Sequence, residues 1–426
     1  MPYRLTLALV LGLATALPAL AQQDVPFNAA QIEAAQYDGG DLPSGRTPLT
    51  AKVQILLDRS GTSPGVIDGF KGGMSQSAIK AFERRAGLPM DGIMDPHVWN
   101  LLQAYATRPV TQSYTITEAD AQGLVDAIPT DYAEKAEMSE LAHTSVAERL
   151  GERFHMDEKF IAFLNPGIAL VPGATIQVMA PNPPMKGQVT RIIIDKDNRR
   201  VAGYDTQGRM VVDYPATIGS SATPSPAGTH SVRTVAINPN YTYNPDVNFR
   251  QGDNDRKLVI PPGPNGPVGT VWIGLTKPTY GIHGTPTPSQ LFSNQSMGCV
   301  RLTNWDAEEL AGMVQTGTTS VEFLDAGITI ADVTGGTRRE AAPVAEIAMP
   351  EGVTEPQVPV TEQPLALPDP MQLPQAEAPA AAQDSLTPAE AGTDQQEPPQ
   401  NDPLSDALSG ALPEGFVLPP IEGQQP

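Results

Sequence analysis

Residues 189–214 read VTRIIIDKDNRRVAGYDTQGRMVVDY, and the pattern is that of three short strands. Residues 189–195 alternate and are rich in isoleucine, and 200–205 and 210–214 follow at short spacing. Lys196-Asp197-Asn198 and Gln207-Gly208 separate them with turn-forming residues. The series continues outward through Thr217-Ile218-Gly219, 228–235, 270–275 and a last run at 320–324. Many short β-rich runs joined by Gly, Pro and Asn predict a mostly-β sandwich or barrel over residues 188–326. One helix is expected inside it, at 305–314, with Asn304 or Thr303 as its N-cap.

Between the last two strands lies YGIHGTPTPSQLFSNQSMGCVRLTNW, residues 280–305, which holds Cys299, the only cysteine, and His283, one of five histidines. A free thiol is mostly protonated at neutral pH, because its ordinary pKa is about 8.5. A thiol and an imidazole in one glycine-bracketed segment are therefore the parts of an activated nucleophile and its base. Alone, a histidine is usually structural and a cysteine an inert core residue, so the pairing carries the reading. One cysteine excludes an intramolecular disulfide framework and a Cys-based zinc site, and the histidines have no HExxH spacing. No metal or other cofactor is expected. His230, in a strand after Pro226-Ala227-Gly228-Thr229, reads as a strand residue.

The chain has 426 residues, with 48 Asp and Glu against 27 Lys and Arg. No Lys or Arg follows Arg339, whereas acidic residues continue to Glu422, so the negative charge belongs largely to the C-terminal part. With no basic stripe to neutralise phosphates, duplex nucleic acid is not a partner. At the other end, Arg4, an apolar run over 5–17 and Ala19-Leu20-Ala21 have the layout of a signal peptide, residues 1–21. That run falls short of the roughly 20 residues a membrane span needs. Export to the periplasm or cell envelope is expected, with no membrane span after cleavage.

Residues 22–48 are expected to be an unstructured linker. In 49–103, helical runs alternate with Asp68-Gly69 and Asp91-Gly92 turns, and Ala78, Ile79 and Phe82 share one helix face. In 104–187, two helices at 138–153 and 157–164 carry Leu141, Val146, Leu150 and Phe154 inward. Asn165-Pro166-Gly167 breaks the second, and 174–179 forms a strand. His143 and His155 sit on these helices without an evident partner. Residues 335–426, dominated by Pro, Ala, Glu and Gln, lack a hydrophobic period and are expected to be disordered.

VQILL, GVIDGFKGGMSQSAIKAFERRAGL and DGIMDPHVW in order resemble the small peptidoglycan-binding domain that accompanies many cell-wall enzymes. The helix pair followed by NPG and VPGATIQV resembles a degenerate LysM-like module, or is a plain helical spacer. His283-Gly284-Thr285 followed by Ser296-Met297-Gly298-Cys299-Val300-Arg301-Leu302 resembles the signature of L,D-transpeptidases of the YkuD type. That likeness extends to TIGSSATPSPAGTHSV and covers about 188–326. The fold class is thus a multidomain chain: an all-α peptidoglycan-binding domain, an α+β middle module, a mostly-β catalytic domain and a disordered tail.

The resemblance implies that Cys299 is the nucleophile and His283 the base, held by a backbone carbonyl near Gly284. It also implies that the N–H groups of Met297, Gly298 and Cys299 face the oxyanion. Arg301 is a carboxylate clamp or a structural fork, and Ser296 and Tyr280 line or support the site. The family has a second histidine where this chain has Met297. The implied reaction cleaves a tetrapeptide stem after its position-three diamino acid and passes the acyl group to an amine, giving a 3→3 crosslink. Carbapenems should then acylate Cys299. Water or an envelope protein as acceptor, or a weakened peptidoglycan-binding scaffold, are the rival readings.

Overall fold

The computed structural model describes residues 25–219, 224–246, 250–293, 296 and 298–335. The expected signal segment, Met297 and, beyond Gly335, the expected tail lie outside the described residues.

Residues 22–48 were expected to be unstructured, yet α1 (Ala29–Ala34) forms there behind an Asn28–Gln31 capping box. It is held because Ile32 and Phe27 are buried in the main helical core, and because Lys52 Nζ donates to the Glu33 and Ala35 carbonyls, both at 2.8 Å. α2 (Pro48–Arg59) starts at a Thr47 cap with proline in the first turn, and α3 (Gly73–Ala86) ends at Gly87 with φ 70°. α4 (Pro96–Leu102) is capped by Asp95. Each Asp-Gly turn is tied to a helix. Gln54 of α2 donates to Asp68 Oδ1 (2.8 Å) and accepts from Gly69 N–H (2.8 Å), and Glu83 of α3 accepts from Gly92 N–H (2.9 Å).

The middle segment runs β1 (Thr111–Thr115), α5 (Glu118–Ala121), α6 (Tyr132–Ala136), α7 (Val146–Phe154), α8 (Glu158–Leu164) and β2 (Thr175–Met179). β1 and β2 pair antiparallel, with the helices between them in sequence. Asn165 pins the end of α8 to β2, donating to the Gln177 carbonyl (2.8 Å) and accepting from its N–H (2.7 Å). The helix expected from residue 138 starts only at Val146, because Ser145 Oγ accepts from Glu148 N–H and caps it there. Residues before the cap turn away to the β-rich part, where Leu141 N–H donates to the Pro262 carbonyl (2.8 Å). Leu150, Phe154 and Phe160 share one buried core with Ile55, Phe82 and Trp99, so the first two segments pack as one body. Arg59 crosses between them, donating to the carbonyls of Ala180 (2.7 Å), Pro109 (2.6 Å) and Arg108 (3.1 Å).

The third part contains β3 (Arg191–Asp195), β4 (Arg200–Tyr204), β5 (Met210–Pro215), β6 (Gly228–Ile237), β7 (Tyr241–Tyr243), β8 (Leu258–Ile260), β9 (Val271–Leu275), β10 (Gly281–His283), β11 (Val300–Arg301), α9 (Asn304–Ala311), β12 (Ser320–Phe323) and α10 (Ile330–Thr334). Where the turn-punctuated runs predict a sandwich or barrel, ten strands form one eight-stranded sheet and a hairpin. The sheet order is β11-β10-β9-β6-β12-β3-β4-β5, with β7 and β8 paired separately. The β12–β3 and β10–β11 pairs are parallel and the others antiparallel. Ile192, Val212, Val232, Ile273, Val300 and Leu310 belong to the core of this sheet. α9 begins one residue earlier than expected, since Thr303 Oγ accepts from Asp306 N–H (3.0 Å).

The helical body docks on the β5 edge. Ser63 N–H donates to the Asp213 carbonyl and Asp213 N–H to the Gly61 carbonyl, both at 2.8 Å. The Asp213 carboxylate is buried between Arg200 Nε (2.6 Å) and Arg84. This leaves β10 and β11 at the opposite end of the sheet.

Candidate active site

β10 lies between β9 and β11, with His283 opposite Trp272 on one side and Arg301 on the other. Strand alternation puts Gly281 on the same face as His283, and Cys299 on the same face as Arg301, two residues on. The parallel register, Ile282 beside Val300, therefore brings Cys299 and His283 to one face of adjacent strands. Gly281 is required here because a Cβ would sit 2.5 Å from the Trp272 indole. That indole stacks on the His283 ring, centroids 5.7 Å apart.

His283 Nδ1 lies 2.7 Å from the Gly284 carbonyl. With the proton on Nδ1 donated to that oxygen, Nε2 keeps its lone pair. A Cβ on Gly284 would meet Asn304 Oδ1 at 2.2 Å, so α9 packs directly against this turn. His283 is 3% exposed, and burial, with Arg301 beside it, pushes its pKa down to about 3 against the pull of the Gly284 carbonyl. Cys299 is 1% exposed, and burial pushes its thiol up to about 12, although the Gly281 backbone and Arg301 favour the thiolate. Both groups are therefore neutral between these values. The Cys299 thiol faces the Thr279 carbonyl at 3.7 Å. Thr279 is a β-branched residue at φ 69°, a strained conformation that the fold maintains next to the sulfur.

Ser296 organises the loop before the cysteine. Its Oγ accepts from Gly298 N–H (3.1 Å) and donates to the Cys299 carbonyl. Ser225 Oγ donates to the Gly298 carbonyl (2.8 Å) and accepts from Gly219 N–H (3.0 Å). Gly298 adopts φ 110°, and a Cβ there would lie 2.7 Å from the Tyr280 ring. One of the expected oxyanion donors, the Gly298 N–H, is thus used within the fold, on Ser296, and the Gly284 N–H goes to the Val271 carbonyl (3.3 Å). Arg301 is buried, and its backbone exchanges two 2.9 Å hydrogen bonds with Thr217.

Sequence reading missed the residues that cover the site. Tyr241, Tyr243, Leu258 and Ile260 of the β7–β8 hairpin, with Tyr132 of α6, form one buried cluster with Cys299 and Trp272. Burial, then Tyr132 and Cys299, raises the Tyr241 phenol well above 10. The alternation in NYTYN was the available signal for β7. The other histidines lie elsewhere. His230 packs its ring against Phe323 at 6.0 Å, and His143 pairs with Glu152 at 3.2 Å. His155 meets Asp58 at 2.8 Å and stacks on Trp305 at 5.2 Å. Among the described residues, no group of three or more His, Cys, Asp or Glu is placed to hold a metal ion.

Residues 189–323 match the family model of the YkuD-type L,D-transpeptidase catalytic domain, and residues 46–102 that of a putative peptidoglycan binding domain. The chain carries both domains, the second N-terminal to the first. It is 34% identical over 128 residues to the putative L,D-transpeptidase YkuD of Bacillus licheniformis, covering 30% of this chain and 62% of that protein. It is 27% identical over 208 residues to the probable L,D-transpeptidase YbiS of Escherichia coli, covering 46% and 65% respectively. The chain thus spans less than two thirds of the length of either relative. A crystal structure of an L,D-transpeptidase from Xylanimonas cellulosilytica aligns at 15% identity and TM-score 0.31, over 68% of this chain and all of that one.

Proposed function

We propose that the protein is an exported cysteine L,D-transpeptidase of the cell envelope, acting on peptidoglycan stem peptides. The observation that carries this reading is the β10–β11 pairing, which sets Cys299 and His283 on one face with Nδ1 facing the Gly284 carbonyl. Because thiol and imidazole are both neutral at physiological pH, the proton moves during attack rather than before it. Cys299 Sγ bonds to the carbonyl carbon of the position-three diamino acid as its proton passes to His283 Nε2. The C–N bond then breaks, and the departing D-residue takes that proton on its amine. An acceptor amine attacks the thioester, gives a proton to His283, and the thiol is restored, leaving a 3→3 crosslink. The Cys299 N–H serves the oxyanion, and Met297 takes part through its backbone alone. Arg301, buried beside both reacting groups, favours the thiolate as it forms. The N-terminal domain holds the enzyme on the wall.

Incubation of the full chain with disaccharide-tetrapeptide tests this. Crosslinked dimer is expected from the unmodified protein and none from Cys299→Ala, and a fully active variant overturns the assignment. A carbapenem should add one adduct by intact mass, absent in the same variant.

A further inference from the structure

α6 turns Tyr132 and Lys135, three residues apart, inward, and packs against β8. Tyr132 meets Tyr241 and Tyr243 edge-on, with ring centroids 5.9 Å and 5.1 Å away, in the cluster that includes Cys299. Lys135 is 2% exposed. Its ammonium lies 5.2 Å from the centre of the Tyr132 ring and has no hydrogen bond or ion pair among the described residues. Other buried cations are provided for: Lys52 donates to two carbonyls, Arg59 to several, and Arg200 to Asp213. The acidic neighbours of Lys135 on its own helix are engaged or turned outward. Asp131 accepts from Ala133 N–H (2.7 Å) and from Asn254 (3.0 Å), and Glu134 is exposed. Burial lowers the Lys135 pKa to about 8, which leaves it protonated at neutral pH. A largely buried ammonium with an aromatic face beside it and no described anion is placed to take one.

We propose that Lys135 is a substrate-binding residue that pairs with a carboxylate of the donor stem, so that the middle segment completes the site around Cys299. This rests on the transpeptidase reading, which supplies a peptide bearing two carboxylates near the scissile bond: that of the terminal D-residue and the second carboxylate of the diamino acid. Tyr132, over whose ring the ammonium lies, meets Tyr241, which shares the buried cluster with Cys299.

Binding is measured without turnover, on the full chain carrying Cys299→Ala, by calorimetry with the tetrapeptide stem. Adding Lys135→Met is expected to weaken Kd at least tenfold, and Lys135→Arg to restore most of the loss. Two donors, each amidated at one carboxylate, identify the partner: amidation at the recognised group weakens binding as much as Lys135→Met does, with no further loss when the two are combined. Thermal unfolding of Lys135→Met is expected at an unchanged or higher temperature, since an unmatched buried charge is removed. Equal Kd values with and without Lys135, or no binding in either, overturn the proposal. Tight, Lys135-dependent binding without any crosslinking by the unmodified protein would instead overturn the transpeptidase reading and leave the carboxylate site standing.

Discussion

The two ends of the eight-stranded sheet both draw ionisable groups away from water and treat them in opposite ways. At the β5 end, Asp213 lies between Arg200 and Arg84, and nearby His155 lies against Asp58, so charges are matched across the docking surface. At the β10–β11 end, no carboxylate among the described residues acts on His283 or Cys299, and burial drives both to neutrality. A charge out of water must be matched or lost. The end that joins the two bodies matches its charges. The end proposed for catalysis keeps the charge of Arg301 but loses those of His283 and Cys299, and so holds a neutral base and a neutral acid for the substrate.

That contrast breaks first at His283. His283→Gln should lower crosslinking by about 10²- to 10⁴-fold, the usual worth of a positioned base. Its unfolding free energy should stay within about 1 kcal/mol of the parent, because no ion pair is lost. Urea unfolding alongside a turnover assay separates the two, and a fall in both would make His283 a structural keystone. Asp213→Leu is the mirror case. Removing the carboxylate strands the buried Arg200 guanidinium and that of the partly buried Arg84, which should cost about 3–5 kcal/mol in the same unfolding experiment. A loss below about 1 kcal/mol would mean that the junction does not depend on this match.

Legibility in the sequence followed the range of the interactions. α2, α3 and the β3–β5 run were readable because periodicity and Asp-Gly turns are local. His283 and Cys299 were readable as a pair because one segment carries both. α1 was missed although its Asn28–Gln31 box was in view, since six residues make too short a period. The β7–β8 hairpin escaped because its three-residue strands are far apart in the chain. The His155–Asp58 and Arg200–Asp213 partnerships, and the contact of Tyr132 with Tyr241, arise from chain folding alone. The Gly298 N–H was assigned to an oxyanion, but its bond to Ser296 depends on a side-chain orientation that spacing does not encode.

A smaller effect sharpens the description of the neutral site. With the thiol held up to about 12, alkylation of Cys299 by iodoacetamide should stay slow at pH 7. Its rate should climb by about tenfold per pH unit through pH 9 and 10, far below the thiol pKa. An inflection near the ordinary cysteine value of about 8.5 would show an exposed thiol instead.

The smallest effect distinguishes the two ends by sign. His283, lowered from 6.5 to about 3, binds fewer protons folded than unfolded in that interval. Its contribution to stability is therefore present above about 6.5 and is lost as pH falls toward 3. At the junction the order reverses. His155, facing Asp58 of α2 and Asp306 and Glu309 of α9 and stacked on Trp305, has its pKa raised from 6.5 despite burial, by Asp58 above all. Asp306 is raised by burial from 3.8 to about 7. Both hold protons more tightly folded, so their stabilisation is present in acid and is lost as pH rises, for Asp306 between about 4 and 7 and for His155 above 6.5. Each slope is bounded by one proton, about 1.4 kcal/mol per pH unit. His155→Gln should flatten the loss of stability above pH 6.5 and, because His155 lowers the Asp306 pKa, carry the Asp306 loss to higher pH, whereas His283→Gln should flatten the acid limb and leave the loss above pH 6.5 in place. Unfolding profiles from pH 4 to 9 in which His283→Gln also flattens the loss above pH 6.5 would show that the two ends do not titrate independently.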